Sequence, residues 1–157
     1  MSINWVMVNE NNGNLPFILL PNEEIKYESP LERTELLIRQ VTSIKNKRII
    51  NATGKVYLSN HRLVFISAYG DIKSFSVLLN QIKTHKLETP WFIGPTLWKC
   101  IFITTSDKVS GLVENENYEL QLKFNEGGIF DFTKIFETVH TNYVNDQADE
   151  LPAYSEF

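Results

Sequence analysis

The chain of 157 residues suits one domain with a sizeable core, and its 43% hydrophobic and 12% aromatic content marks a globular chain rather than a disordered one. All 15 Lys and Arg lie in residues 1–144 with 15 of the 19 acidic residues, so the body is neutral and the net −4 comes from Asp146, Asp149, Glu150 and Glu156. A neutral body excludes nucleic-acid binding that relies on a strong positive field, and a single cysteine excludes an internal disulfide framework or a Cys-based zinc site.

In chain order, Asn11-Asn12-Gly13-Asn14 reads as a turn. Ser29-Pro30-Leu31-Glu32 has the form of a capping box with proline at the first helical position. Residues 34–41 fit a helix begun there, but Leu36 and Ile38 fit period two equally well, so helix and strand both stand. Lys45-Asn46-Lys47-Arg48 is a basic turn. Asn51-Ala52-Thr53 matches a glycosylation acceptor that has no meaning inside a cell.

Strand signals then dominate. Residues 55–59 and 62–68 are β-branched and aromatic runs joined by Asn60-His61, which predicts a hairpin. Residues 74–79 follow a turn at Tyr69-Gly70-Asp71. Pro90-Trp91-Phe92-Ile93-Gly94-Pro95 is an aromatic segment between prolines. With Trp98, it is either a loop folded onto the core or an exposed lip that touches a membrane or partner. Residues 99–105 form another strand run, with Cys100 expected as a small reduced core side chain.

Residues 118–124 alternate strictly. Tyr118, Leu120, Leu122 and Phe124 share one face, and Glu119, Gln121 and Lys123 the other. Asn125-Glu126-Gly127-Gly128 supplies a turn tolerant of positive φ, and Ile129-Phe130-Asp131-Phe132 is expected to return as a partner strand. In residues 132–144, Phe132, Ile135, Phe136, Val139 and Tyr143 form one helical stripe. Six or more strands closed by this helix give a β-rich α+β domain.

Residues 145–150 lack large apolar side chains and are expected to be a solvated spacer. Three bulky residues then reappear in Leu151-Pro152-Ala153-Tyr154-Ser155-Glu156-Phe157. Leu151-Pro152-Ala153-Tyr154 has the L-P-x-Y form that group I WW domains bind as a polyproline-II segment. Pro152 lowers the entropy lost on docking, and Tyr154 fills a second pocket. The competing reading is a tail that packs back on the body through Leu151, Tyr154 and Phe157.

No nucleophile elbow, phosphate-binding loop, zinc-protease or dinucleotide motif is present. His61, His85 and His140 are scattered in the sequence. Glu23-Glu24 and the acidic residues at 114–116 read as solvated turns. No catalytic residue, metal site or cofactor is assigned. Lys45, Lys47, Arg48 and Lys55, joined by Arg62 if the hairpin folds that way, are the candidate contact for an acidic lipid headgroup. The start of the chain has no positive region followed by an apolar one, and no apolar run approaches the ~20 residues of a membrane span. The expectation is a soluble intracellular protein that is not secreted.

Residues 54–67, Gly-Lys-Val-Tyr-Leu-Ser-Asn-His-Arg-Leu-Val-Phe-Ile-Ser, resemble the G-x-V-Y-L-T-x-x-R core of the GRAM domain in WW-domain-binding protein 2-like proteins. Ser74-Phe75, the segment 88–95 and the run 118–132 resemble further stretches of that family in the same order, so the likeness covers about residues 34–144. The resemblance implies a PH-like (GRAM) barrel of two near-orthogonal antiparallel sheets capped by a C-terminal α-helix over residues 1–144, with an acidic flexible tail over 145–157. It also implies an adaptor or transcription coactivator of the cytoplasm or nucleus, whose tail binds WW-domain proteins such as HECT-type ubiquitin ligases. The docking residues would be Leu151, Pro152 and Tyr154. Family tails carry several P-P-x-Y motifs. This one carries a single L-P-x-Y, so avidity from repeated motifs cannot operate. GRAM domains are also proposed to bind phosphoinositides, which gives the alternative of a peripheral membrane module.

Overall fold

The computed structural model describes residues 2–3, 15–41, 49–89, 94–104, 116–125 and 127–150, with residues 2–3 and 148–150 described by backbone alone. Nine strands and one long helix make up these residues. They are β1 (Ser2–Ile3), β2 (Ile25–Glu28), β3 (Thr34–Gln40), β4 (Ile49–Ser59), β5 (Arg62–Gly70), β6 (Ser74–Leu78), β7 (Ile82–Glu88), β8 (Leu97–Ile103), β9 (Asn117–Phe124) and α1 (Ile129–Glu150). The strands form one antiparallel path, β1-β6-β5-β4-β3-β9-β8-β7, with β2 paired to the far end of β4. The described strands thus make one continuous sheet through β3, which pairs with β4 on one side and β9 on the other, where two sheets were expected.

The strict alternation of residues 118–124 becomes strand β9, with Tyr118, Leu120, Leu122 and Phe124 buried. The hairpin around Asn60-His61 forms with Leu58 opposite Leu63. Residues 34–41 resolve as strand, with Leu36 and Ile38 in the core. The capping box is not used. Instead the Ser29 hydroxyl accepts the Val56 N–H at 2.9 Å, and the Ser29 N–H donates to the Val56 carbonyl at 2.9 Å. Ser29 thus carries the ladder onto β4 across the break between β2 and β3.

Two expectations about the helix are corrected. Ile129-Phe130-Asp131-Phe132 is not a strand but the first turn of α1. Gly127 and Gly128 turn the chain at φ +81° and +89°, and the Gly128 carbonyl accepts the Phe132 N–H at 2.9 Å. Burying Ile129, Phe132 and Phe136 uses helical spacing and leaves Phe130 66% exposed, whereas a strand would have put Phe130 and Phe132 on one face. At the other end, α1 runs through residues 145–150 instead of ending at Val144. No Gly or Pro interrupts that stretch.

The expected stripe of α1 closes the open side of the sheet. Trp98 is fully buried and meets Phe132 and Phe136 edge-on, with centroids 5.1 and 4.8 Å away. Tyr27 of β2 packs on Phe132 at 5.3 Å and ties that strand to the start of the helix. Cys100 is buried in this core, where burial pushes its thiol pKa up and keeps it protonated.

Candidate docking site

The hairpin that carries the resemblance is a clasp. Its outer face holds residues 17–24 through a set of interlocking contacts. Arg62 donates through Nε to Glu23 Oε2 at 2.9 Å and through a terminal nitrogen to Oε1 at 3.1 Å. The Ser59 hydroxyl donates to Glu23 Oε2 at 2.6 Å, and the Leu20 N–H donates to Oε1 at 2.8 Å. Burial alone would raise the pKa of Glu23, but the hydrogen bonds from Arg62, Ser59 and Leu20 outweigh it and hold the carboxyl below its ordinary value. Arg62 also donates to the Ile18 carbonyl and lies over the Phe17 ring, which packs edge-on against Tyr57 at 5.1 Å.

The hairpin tip completes the clasp. Asn60 donates to the Asn22 carbonyl and accepts the Glu24 N–H at 2.7 Å. The reading of Glu23 as a solvated turn residue is therefore corrected: its side chain is fully buried, paired with an Arg62 side chain that is 9% exposed. Arg62 points into this clasp and does not join a basic surface patch. The spacing between residues 23 and 62 gave no local signal for the pair.

Of the proposed lipid-contact residues, only Lys55 lies within the described structure. Lys45, Lys47 and Arg48 lie outside the described residues. Lys55 sits on β4 six residues beyond Ile49, about 20 Å along the strand. It pairs with Glu28 at 3.4 Å and rests over the Tyr57 ring. The segment 42–48 is instead flanked by two exposed apolar residues, Val41 and Ile49. Leu151, Pro152 and Tyr154 also lie outside the described residues, as do Trp91 and Phe92. Trp98 belongs to the core, and its indole N–H finds no acceptor among the described residues.

The fold brings together two histidines that the sequence keeps apart. His85 of β7 and His140 of α1 have ring centroids 5.0 Å apart, and both rings contact Phe136. Burial lowers both pKa values, and the neighbouring His140 lowers that of His85 further, against the opposing effect of Glu137. Among the described residues there is no cluster of three His, Cys, Asp or Glu side chains able to hold a metal. No helix of the described residues is long and apolar enough to cross a membrane.

Two of the surface hollows bear on docking. One, of about 240 Å³, lies on the outer face of the sheet between Leu37, Asn51, Thr53, Tyr69, Leu97 and Gln121. The other, of about 220 Å³, is a groove beside the C-terminal half of α1, lined by Leu20, Pro21, His61, Leu78, Asn80 and Tyr143.

No family model matches the chain. The UPF0664 stress-induced protein C29B12.11c of Schizosaccharomyces pombe is 30% identical over 163 residues, an alignment covering 98% of this chain and 88% of that protein. The chain belongs to the UPF0664 family. Among solved structures, the Vps36 N-terminal PH domain matches this UPF0664 protein with a TM-score of 0.61 at 14% identity, over 92% of this chain and 96% of that one. A chain of the 8S snRNP assembly intermediate matches with a TM-score of 0.56 at 11% identity, over 87% and 90%. These likenesses give the UPF0664 chain a PH-like fold: a β-rich half-barrel with one C-terminal helix.

Proposed function

We propose that this UPF0664 protein is a non-enzymatic adaptor of the WW-domain-binding protein 2-like (GRAM) kind. Its two sheet halves, β1-β6-β5-β4-β3 and β9-β8-β7, would cross near-orthogonally as in that family. It docks on a WW-domain protein, a HECT-type ubiquitin ligase, through Leu151, Pro152 and Tyr154. Its place of action is the cytoplasm or nucleus, and a role in transcription regulation follows the family pattern.

The observation that carries this reading is the end of α1. The helix covers the core with Phe132 and Phe136, is exposed over residues 144–147, and is described as far as Glu150, the residue before the motif. A segment that follows this exposed stretch and opens with a proline-restricted dipeptide suits an extended ligand. Calorimetry of the full chain with isolated WW domains tests it. In a peptide of residues 145–157 titrated beside the full chain, Tyr154→Ala should weaken binding about thirtyfold, the ~2 kcal/mol of an aromatic anchor. Equal binding by the variant sinks the reading.

A second reading has its own support. Lys45, Lys47 and Arg48 lie between the exposed Val41 and Ile49, an arrangement suited to an acidic bilayer surface. Sedimentation with phosphoinositide vesicles should then weaken with salt and with Lys47→Ala/Arg48→Ala. Lys55→Ala should have the smaller effect, because Lys55 lies about 20 Å along β4 from Ile49 and is paired with Glu28. Absence of binding at low salt removes this reading.

A further inference from the structure

The groove beside the C-terminal half of α1 has four apolar walls, Leu20, Pro21, Leu78 and Tyr143, with Asn80 and His61 at its rim. Its lip continues into three consecutive exposed residues, Ile18 at 46%, Leu19 at 38% and Leu20 at 41%. The clasp holds this lip in place, since Glu23 accepts the Leu20 N–H and Arg62 donates to the Ile18 carbonyl. A contiguous apolar surface of this kind, set on a rigid support, is a docking surface.

Reach and composition identify the occupant. Tyr143 lies seven residues before the end of α1, about 10 Å along the helix axis. Residues 151–157 span up to about 23 Å when extended. The chain leaving Glu150 can therefore reverse and return to Tyr143. Leu151, Tyr154 and Phe157 supply apolar side chains for the four walls, and the Asn80 amide is a donor for the Glu156 carboxylate.

We propose that residues 151–157 dock in this groove of their own molecule, with Tyr154 and Phe157 against Leu20, Pro21, Leu78 and Tyr143. The groove and a WW domain then compete for one peptide, and the motif is available only in the undocked fraction. The competition rests on the function proposed above, whereas the intramolecular contact does not.

Two measurements on the full chain separate these claims. Backbone amide shifts of Leu20, Asn80 and Tyr143 should differ between wild type and Tyr154→Ala, equally at two protein concentrations. Unchanged shifts at these sites overturn the contact, and so do differences that grow with concentration, which would mean docking on a neighbouring molecule. In WW-domain titrations, a tail docked nine-tenths of the time makes the wild-type chain bind about tenfold more weakly than a peptide of residues 145–157. Leu20→Ser in the full chain should recover the affinity of the peptide. Equal affinity of wild-type chain and peptide overturns the competition. A peptide that fails to bind any WW domain removes the function proposed above, and the amide shifts still decide the contact.

Discussion

The clasp on the β4–β5 hairpin and the end of α1 differ in what their sequence signals stand for. The hairpin carries the longest recognisable pattern in the chain, yet Tyr57, Ser59, Asn60 and Arg62 of that pattern face the protein itself. Ser59 and Arg62 hold Glu23, Asn60 holds Asn22 and Glu24, and Tyr57 packs on Phe17. The far end of the chain carries four residues of low specificity, and they follow the last structural element. A strong pattern here records a demanding piece of architecture, and the weak one is where a partner is proposed to bind.

The sharpest way to break this contrast is at the clasp. Arg62→Ala should lower stability by about 3–5 kcal/mol, because it strands the buried Glu23 carboxylate. Chemical denaturation measures the loss. Adding Glu23→Leu should recover part of it, and a double variant as unstable as the single one would show that Arg62 acts through other contacts. Gly54→Ala should cost ~3 kcal/mol, since its Cβ would meet the Ile66 carbonyl and lie 2.7 Å from the Ser67 Cα at the bulge between β4 and β5.

A smaller effect is expected at the seam between α1 and β7. His85 and His140 have folded pKa values below the ordinary 6.5, so the unfolded chain binds protons first as pH falls. Their contribution to stability is fully present above pH 6.5 and is lost as pH drops through the folded values. Thermal unfolding midpoints of His140→Gln should fall less steeply than wild type between pH 6.5 and 5. Parallel curves would show that the two rings do not limit stability in that window. The smallest effect belongs to Tyr154→Ala, which should cost at most about 1.4 kcal/mol in chemical denaturation, the docking free energy of a tail bound nine-tenths of the time.

Much of this fold is legible in the sequence where one face of an element is buried. β9 and the stripe of α1 show their period directly. β7 went unread because Lys83, Thr84 and Lys86 break any apolar alternation on a strand at the sheet's edge. Ile129-Phe130-Asp131-Phe132 misleads because four residues are too few to separate period two from the first turn of a helix. Within the candidate surfaces, Lys55 lies on strand β4 and pairs with Glu28, a partner 27 positions earlier that no local window reveals. Glu23 finds Arg62, and His85 finds His140, only through tertiary contact, so no local window contains either pair.

The separation between Glu23 and Arg62 also bears on how the molecule assembles. They are 39 positions apart, whereas the β4–β5 hairpin closes over two residues. Local contacts form fastest, so the hairpin can present Ser59 and Arg62 before residues 17–24 arrive. Until then an arginine and a patch of Tyr57 and Val64 face water together. Docking of Phe17 and Glu23 removes both at once, and only a hairpin in the native register sets Tyr57, Ser59 and Arg62 where these two residues need them.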